Sequence, residues 1–172
     1  MSALTTPLFR PANPSDAFQV GEVAVIGFKT QYAKIGPEFN VGEARERDLR
    51  DFEKWSTYGT ILVAELDGEV VGNIVLLSPE SELCGTWLEG FWEFRMLATN
   101  PKTHGTGLGK SLVQFAEGHA QANGAKGFCI RVRAGLPHLY GFYDRLGYVP
   151  DARGDQIYPD PPVQLWGRRK DF

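Results

Sequence analysis

An α/β fold built on a mixed sheet is predicted by three observations. Two β-rich runs, 60–65 and 70–76, flank Asp67-Gly68, the dipeptide that a tight hairpin turn favours. A glycine-rich stretch, His104-Gly105-Thr106-Gly107-Leu108-Gly109-Lys110-Ser111, joins a strand pattern to a helix pattern. The strand-loop-helix-strand run 91–132 needs a crossover, so parallel pairing joins the antiparallel hairpin.

Each element follows from local pattern. Residues 10–16 read as a short strand, a turn, and a helix start that Ser15 or Asp16 can cap; the helix runs to about Thr30. A second helix is expected over 43–55. Its Arg45, Glu46, Arg47, Asp48, Arg50 and Asp51 form a solvated, ion-paired face. After the hairpin, 78–88 is a polar loop and 91–99 a strand. That strand places Trp92, Phe94 and Met96 on one face and Glu93, Arg95 and Leu97 on the other. A helix over 108–122 carries an apolar stripe of Leu108, Leu112, Val113, Ala116 and Ala120, and Asn123-Gly124 stops it. Residues 128–132 form a strand. Residues 136–146 form a helix with Leu139, Phe142, Tyr143 and Leu146 on one face, ended by Gly147. Residues 151–162 read as a proline-rich loop and 163–168 as a last strand.

The chain has 172 residues, which suits a single domain spanning 1–172 with its core over 6–169. A domain of that size buries roughly 70% of its unfolded surface and needs no disulfide or metal to fold. A net charge of −3 argues against general nucleic-acid binding. Cys84 and Cys129 make neither a disulfide framework nor a zinc spacing, so no metal is expected and reduced thiols in the cytoplasm fit best. Residues 1–10 lack the apolar core of a signal peptide. The most apolar stretch, 61–77, is broken by Glu65, Asp67 and Glu69, so no membrane segment is expected.

The glycine loop carries the chemistry. Glycines let a backbone approach a ligand closely, and a helix N-terminus presents unpaired N–H groups with partial positive charge. Together they suit phosphate or pyrophosphate. The competing reading is a tight turn that binds nothing. A P-loop is a poor match, because its first glycine would fall on His104 and the next strand has no acidic residue for magnesium. A dinucleotide fingerprint matches Gly105 and Gly107, but its third glycine would fall on Lys110.

The whole chain resembles the GNAT superfamily of acetyl-CoA-dependent N-acetyltransferases. That family's loop reads Gln/Arg-x-x-Gly-x-Gly/Ala; here it is His104-x-x-Gly107-x-Gly109, with Pro101 upstream. The hairpin, the strand 93–99 and Phe142-Tyr143-Asp144-Arg145-Leu146-Gly147-Tyr148 are similar to family blocks in the family's order. The resemblance implies a mixed, mostly antiparallel twisted sheet of six to seven strands flanked by about four helices. It implies acetyl-CoA as cosubstrate, with pyrophosphate held by the backbone of His104, Gly105, Thr106, Gly107, Leu108, Gly109 and Lys110. The pantetheine arm would pair with Leu97, Ala98 and Thr99, and backbone near a strand bulge would serve the oxyanion. His104 in place of Gln/Arg makes a weaker or pH-dependent contact, since an ordinary imidazole titrates near pH ~6.5.

Tyr143 matches the family tyrosine that protonates the departing thiolate; the competing reading is plain core. Glu93 stands eleven residues before His104, where some members, notably histone acetyltransferases, place a glutamate. It is the candidate base, directly or through water, and an ion pair with Arg95 is the competing reading. The branch that acetylates protein N-termini has Glu and Asn where this chain has Arg131 and Leu136, which argues against close kinship with it. Tyr140 is a poor second acid, and His119 and His138 are weak candidates. Trp87, Glu89, Phe91 and Trp92 read as ordinary packing before they read as an acceptor channel. Phe28, Tyr32 and Glu38 fall where the family builds its acceptor site, by analogy of position alone. The expected partner is an amine, a small molecule before a protein, with no nucleic acid and no membrane, and a homodimer admitted because family members often pair. The alternative of another class is a non-catalytic acyl-CoA-binding sensor.

Overall fold

The computed structural model describes residues 6–37, 39–160 and 162–172. Among them are eight strands and five α-helices: β1 (Leu8–Pro11), α1 (Ala17–Ala33), α2 (Glu43–Arg50), α3 (Phe52–Tyr58), β2 (Thr60–Leu66), β3 (Glu69–Leu77), β4 (Trp92–Thr99), α4 (Leu108–Ala122), β5 (Gly127–Arg133), α5 (Pro137–Arg145), β6 (Val149–Pro150), β7 (Gln156–Pro159) and β8 (Pro162–Asp171). The residues group into two compact units whose boundaries cut inside β4 and inside α4.

The first unit holds the described residues up to Leu76 together with Met96–Ala116. β1 pairs antiparallel with β2, and β2 with β3. Asp67 and Gly68 turn the hairpin at φ 53° and 82°, the left-handed pair that a two-residue loop of this kind needs. Buried residues run without a break from Val70 to Leu76, the pattern of a strand covered on both faces. Helix α1 buries Val20, Val23, Ala24 and Val25. It rides directly on the end of β4: a Cβ at Gly27 would stand 2.9 Å from the Ala98 Cβ and 3.2 Å from the Thr99 carbonyl. Two local expectations are corrected. Asn13, not Ser15 or Asp16, caps the turn before α1, with Asp16 reaching back to the Asn13 N–H at 2.8 Å. The helix expected over 43–55 is two helices, because the Asp51 carboxylate accepts from the Lys54 N–H and starts α3 anew.

The second unit holds Leu77–Arg95 and Glu117–Phe172. The start of β4 pairs parallel with β5, Trp92 opposite Phe128 and Glu93 opposite Cys129, as the crossover requires. β8 runs antiparallel to β5 and carries β6 and β7 on its other edge. The stretch read as a loop over 151–162 contains β7, and β8 extends to Asp171 rather than 168. Prolines obscured this hairpin; Pro159 and Pro162 face each other at its end, where a missing donor is tolerated. An aromatic core links Phe94 to Phe128 at 5.1 Å between ring centres, and Phe128 to Phe172 at 5.3 Å.

Candidate active site

The glycine loop lies in the first unit. Asn100 starts a single helical turn over Pro101–Thr103, its Oδ1 accepting from the Lys102 N–H. The Thr103 hydroxyl donates to the Asn100 carbonyl at 2.7 Å, and the Thr106 hydroxyl to the Thr103 carbonyl at 2.7 Å. Gly105 and Gly107 then take φ of 79° and 83°. A Cβ at either would meet nothing within 4 Å, so glycine is needed there for conformation rather than for space. The first backbone bond of α4 runs from the Ser111 N–H to the Gly107 carbonyl. Among the described residues, the N–H groups of Gly105, Gly107, Leu108, Gly109 and Lys110 have no backbone acceptor. His104 through Gly107 and Lys110 are exposed, Gly109 is half-buried and Leu108 is anchored in the core. The sequence-predicted loop residues therefore come together as a row of open donors at the positive end of a 15-residue helix.

The strand leading to that loop is irregular at one point. Met96 has φ 56°, a left-handed conformation rare for an unbranched non-glycine residue. Leu97 and Thr99 follow as half-buried residues and Ala98 as a buried one. The buried Asn73 of β3 donates from Nδ2 to the Met96 carbonyl at 2.9 Å.

Glu93 and Tyr143 lie in the second unit. Glu93 is 3% exposed. Its Oε1 accepts from Arg95 Nε at 2.8 Å, and its Oε2 from Arg95 Nη2 at 3.1 Å and the Gly85 N–H at 2.6 Å. Arg131 Nη1 stands 3.7 Å from Oε1. The ion pair with Arg95 is thus present, and Arg131, not anticipated, joins it. Its signal was an arginine inside the apolar run Phe128-Cys129-Ile130-Arg131-Val132, since a buried charge needs a partner. A Cβ at Gly85 would stand 2.7 Å from Arg131 Nη1, so any larger residue would push that guanidinium aside.

Phe94 points to the other face of β4. Its ring meets Tyr143 at 6.1 Å and Tyr148 at 5.9 Å. Tyr143 also packs on Phe142 at 5.0 Å and Tyr148 at 5.8 Å. Its hydroxyl has no hydrogen-bond partner among the described residues, and burial pushes its pKa far above the ordinary tyrosine range. Tyr148 differs: its hydroxyl donates to Glu117 Oε1 at 2.8 Å, and Lys170 holds the same carboxylate at 2.9 Å. Tyr140 is committed elsewhere, its hydroxyl accepting from the Gly135 N–H at 3.0 Å.

The remaining candidates separate plainly. Trp87 is a packing residue: its Nε1 donates to Asp151 Oδ2 at 3.0 Å, and the Arg131 guanidinium lies 5.0 Å over its ring. Asp151 also binds Arg153 at 2.6 Å, a cluster the sequence did not reveal. His138 is exposed and His119 half-buried on α4. Phe28 packs edge-on to Tyr32 at 6.0 Å under the Arg45 guanidinium, and Glu38 lies outside the described residues. Burial raises the thiol pKa of both Cys84 and Cys129.

A mixed sheet whose strand β4 leads into a turn of free N–H groups at a helix start defines an α/β protein with the donors an anion needs at that turn. The chain belongs to the Acetyltransferase (GNAT) family, whose model matches residues 30–148. It is 31% identical over 110 residues to a mycothiol acetyltransferase of Streptomyces coelicolor, covering 63% of this chain and 33% of that protein. A mycothiol acetyltransferase of Streptomyces avermitilis is 30% identical over the same length, so the chain spans about one third of these curated relatives. Among solved structures, the PaiA N-acetyltransferase from Thermoplasma acidophilum in complex with coenzyme A matches with a TM-score of 0.75 at 20% identity, over 97% of this chain and 99% of that one. A GNAT acetyltransferase from Brucella melitensis in complex with acetyl-CoA matches with a TM-score of 0.63 at 20% identity, over 98% and 92%. Among the described residues, no helix is long and apolar enough to cross a membrane.

Proposed function

We propose that this protein is an acetyl-CoA-dependent N-acetyltransferase that passes the acetyl group directly to a primary amine of a small molecule. The observation that carries this reading is the row of five open N–H groups from Gly105 to Lys110, at the start of α4 in a chain of this family. They fit a pyrophosphate, which needs several donors converging without a side chain in the way. Leu97, Ala98 and Thr99 would pair with the pantetheine arm. Tyr143 would return a proton to the departing thiolate; its hydroxyl is uncommitted and burial keeps it protonated. Direct attack is favoured because neither cysteine is activated: both thiols are pushed up by burial. Glu93 enters as base only if an oxygen comes free of Arg95; its contacts favour its role as the anchor of β4 and β5. A cytoplasmic protein without a nucleic-acid partner, open to pairing with a second copy, accompanies this reading.

Calorimetric titration with acetyl-CoA tests it, with NAD and ATP–magnesium as controls. Binding of acetyl-CoA alone, near the micromolar range (about −8 kcal/mol at 1 μM), is expected. Binding of NAD or ATP instead overturns it. An amine screen follows, with mycothiol-related amines beside polyamines, aminoglycosides, amino acids and peptide lysines. Acetyl-CoA binding without turnover of any amine would favour the sensor.

A further inference from the structure

Asn73 sits in the middle of β3 with 0% exposure, between the buried Gly72 and Ile74. An amide in that position is a liability, because each buried polar atom that finds no partner costs stability. The liability is visible: Asn73 Oδ1 is fully buried and has no hydrogen-bond partner among the described residues. The other end of the amide is used. Nδ2 donates to the Met96 carbonyl at 2.9 Å, and since that carbonyl can only accept, the nitrogen must face it. Met96 is itself in a costly conformation, with φ 56° and a side chain that glycine would lack. An unsatisfied oxygen and a left-handed methionine thus meet at one hydrogen bond. Two local penalties joined by one contact mark a geometry retained for something other than stability.

The peptide plane explains what the contact does. The Met96 carbonyl and the Leu97 N–H belong to one planar trans unit and point in opposite directions. Holding the carbonyl toward β3 therefore fixes the direction of the Leu97 N–H at the beginning of the Leu97–Thr99 segment. We infer that Asn73 is a positioning residue, which aims the Leu97 N–H at the thioester carbonyl and so assembles the oxyanion donor. The inference rests on the acetyltransferase reading above. Asn73 touches no reacting atom in this role and acts through the Met96–Leu97 peptide.

The test uses Asn73→Leu in the full chain, with Asn73→Ala as the second variant. The wild-type protein is expected to bind acetyl-CoA roughly three- to tenfold more tightly than S-ethyl-CoA, which lacks the carbonyl, the worth of one hydrogen bond. In Asn73→Leu that preference should vanish while S-ethyl-CoA binds as before and the melting temperature shifts little, the loss of the unsatisfied oxygen offsetting the Met96 carbonyl left without its donor. Asn73→Ala should lose the same preference but melt lower, because it leaves a cavity. Loss of preference at unequal stabilities separates positioning from plain structural support. A preference that survives in a folded variant overturns the inference, as does a wild-type protein that binds both compounds equally. A wild-type protein that binds neither compound overturns instead the reading on which the inference rests.

Discussion

Arg95 grips the Glu93 carboxylate with two hydrogen bonds, Nε to Oε1 at 2.8 Å and Nη2 to Oε2 at 3.1 Å. The Gly85 N–H donates to Oε2 at 2.6 Å, and the Arg131 guanidinium stands 3.7 Å from Oε1. Both oxygens are therefore engaged before any substrate arrives. A base needs an open lone pair, so the first consequence of removing this charge is structural.

Glu93→Gln leaves two guanidinium groups beside a neutral amide. Breaking a buried pair from one side costs about 3–5 kcal/mol. Arg95 is partly exposed, so the lower end is expected, read as a shift of the urea midpoint. The rate profile against pH should keep its alkaline-rising limb. A limb that shifts or disappears in the folded variant assigns proton removal to Glu93 after all.

Tyr143→Phe removes a hydroxyl that bonds to no described residue. Melting temperature and acetyl-CoA affinity should change little. Turnover should fall roughly 10²-fold, the lower range for loss of a general acid. A variant that turns over like the wild type places Tyr143 in the aromatic core with Phe94 and Tyr148 and nowhere else.

Gly107→Glu should abolish acetyl-CoA binding in calorimetry, because it sets a carboxylate among the N–H groups meant for phosphate. Gly107→Ala separates the backbone from the charge. No atom crowds the new Cβ, but φ 83° costs an L residue about 1–2 kcal/mol. Alanine should thus lower stability modestly and weaken binding less than glutamate does. Unaltered affinity in Gly107→Glu would sink the loop assignment.

Stability should fall off at both ends of the pH range. Hydrogen bonding with Arg153 and Trp87 holds the Asp151 carboxyl far below its ordinary value of 3.8. The unfolded chain takes up that proton first as pH falls, so this contribution is full above about pH 4 and fades below it. Burial raises Tyr143 and Tyr148 above the ordinary value of 10.0. The unfolded chain releases those protons first, so their contribution is full below about pH 10 and fades above it. Thermal melts across pH should show both slopes, and Asp151→Asn should flatten the acid one. An acid slope unaltered in that variant would remove Asp151 as its cause.

Local chemistry made most elements readable. Asp67-Gly68 can hardly do anything but turn, the stripe from Leu108 to Ala120 has one helical face, and Gly105 and Gly107 lie where left-handed turns are needed. The break at Asp51 was hidden because an aspartate suits a helix surface and a helix cap alike. β7 was hidden because Pro159 and Pro162 mimic a loop. In the site, the glycine loop and the tyrosine block were legible as contiguous motifs.

What the sequence alone determined is the order of elements from β1 to α5, the break at Asp51 apart, together with the crossover and the backbone row that opens α4. These depend on residues within a turn or two of one another. What only the tertiary structure decided is the state of each side chain: Glu93 clasped by Arg95 and Arg131, Asp151 joined to Trp87 across 64 positions, Asn73 gripping Met96 across 23. Burial raises the energy of an unpaired charge or amide until it finds a partner, and that partner can come from any strand the fold brings alongside.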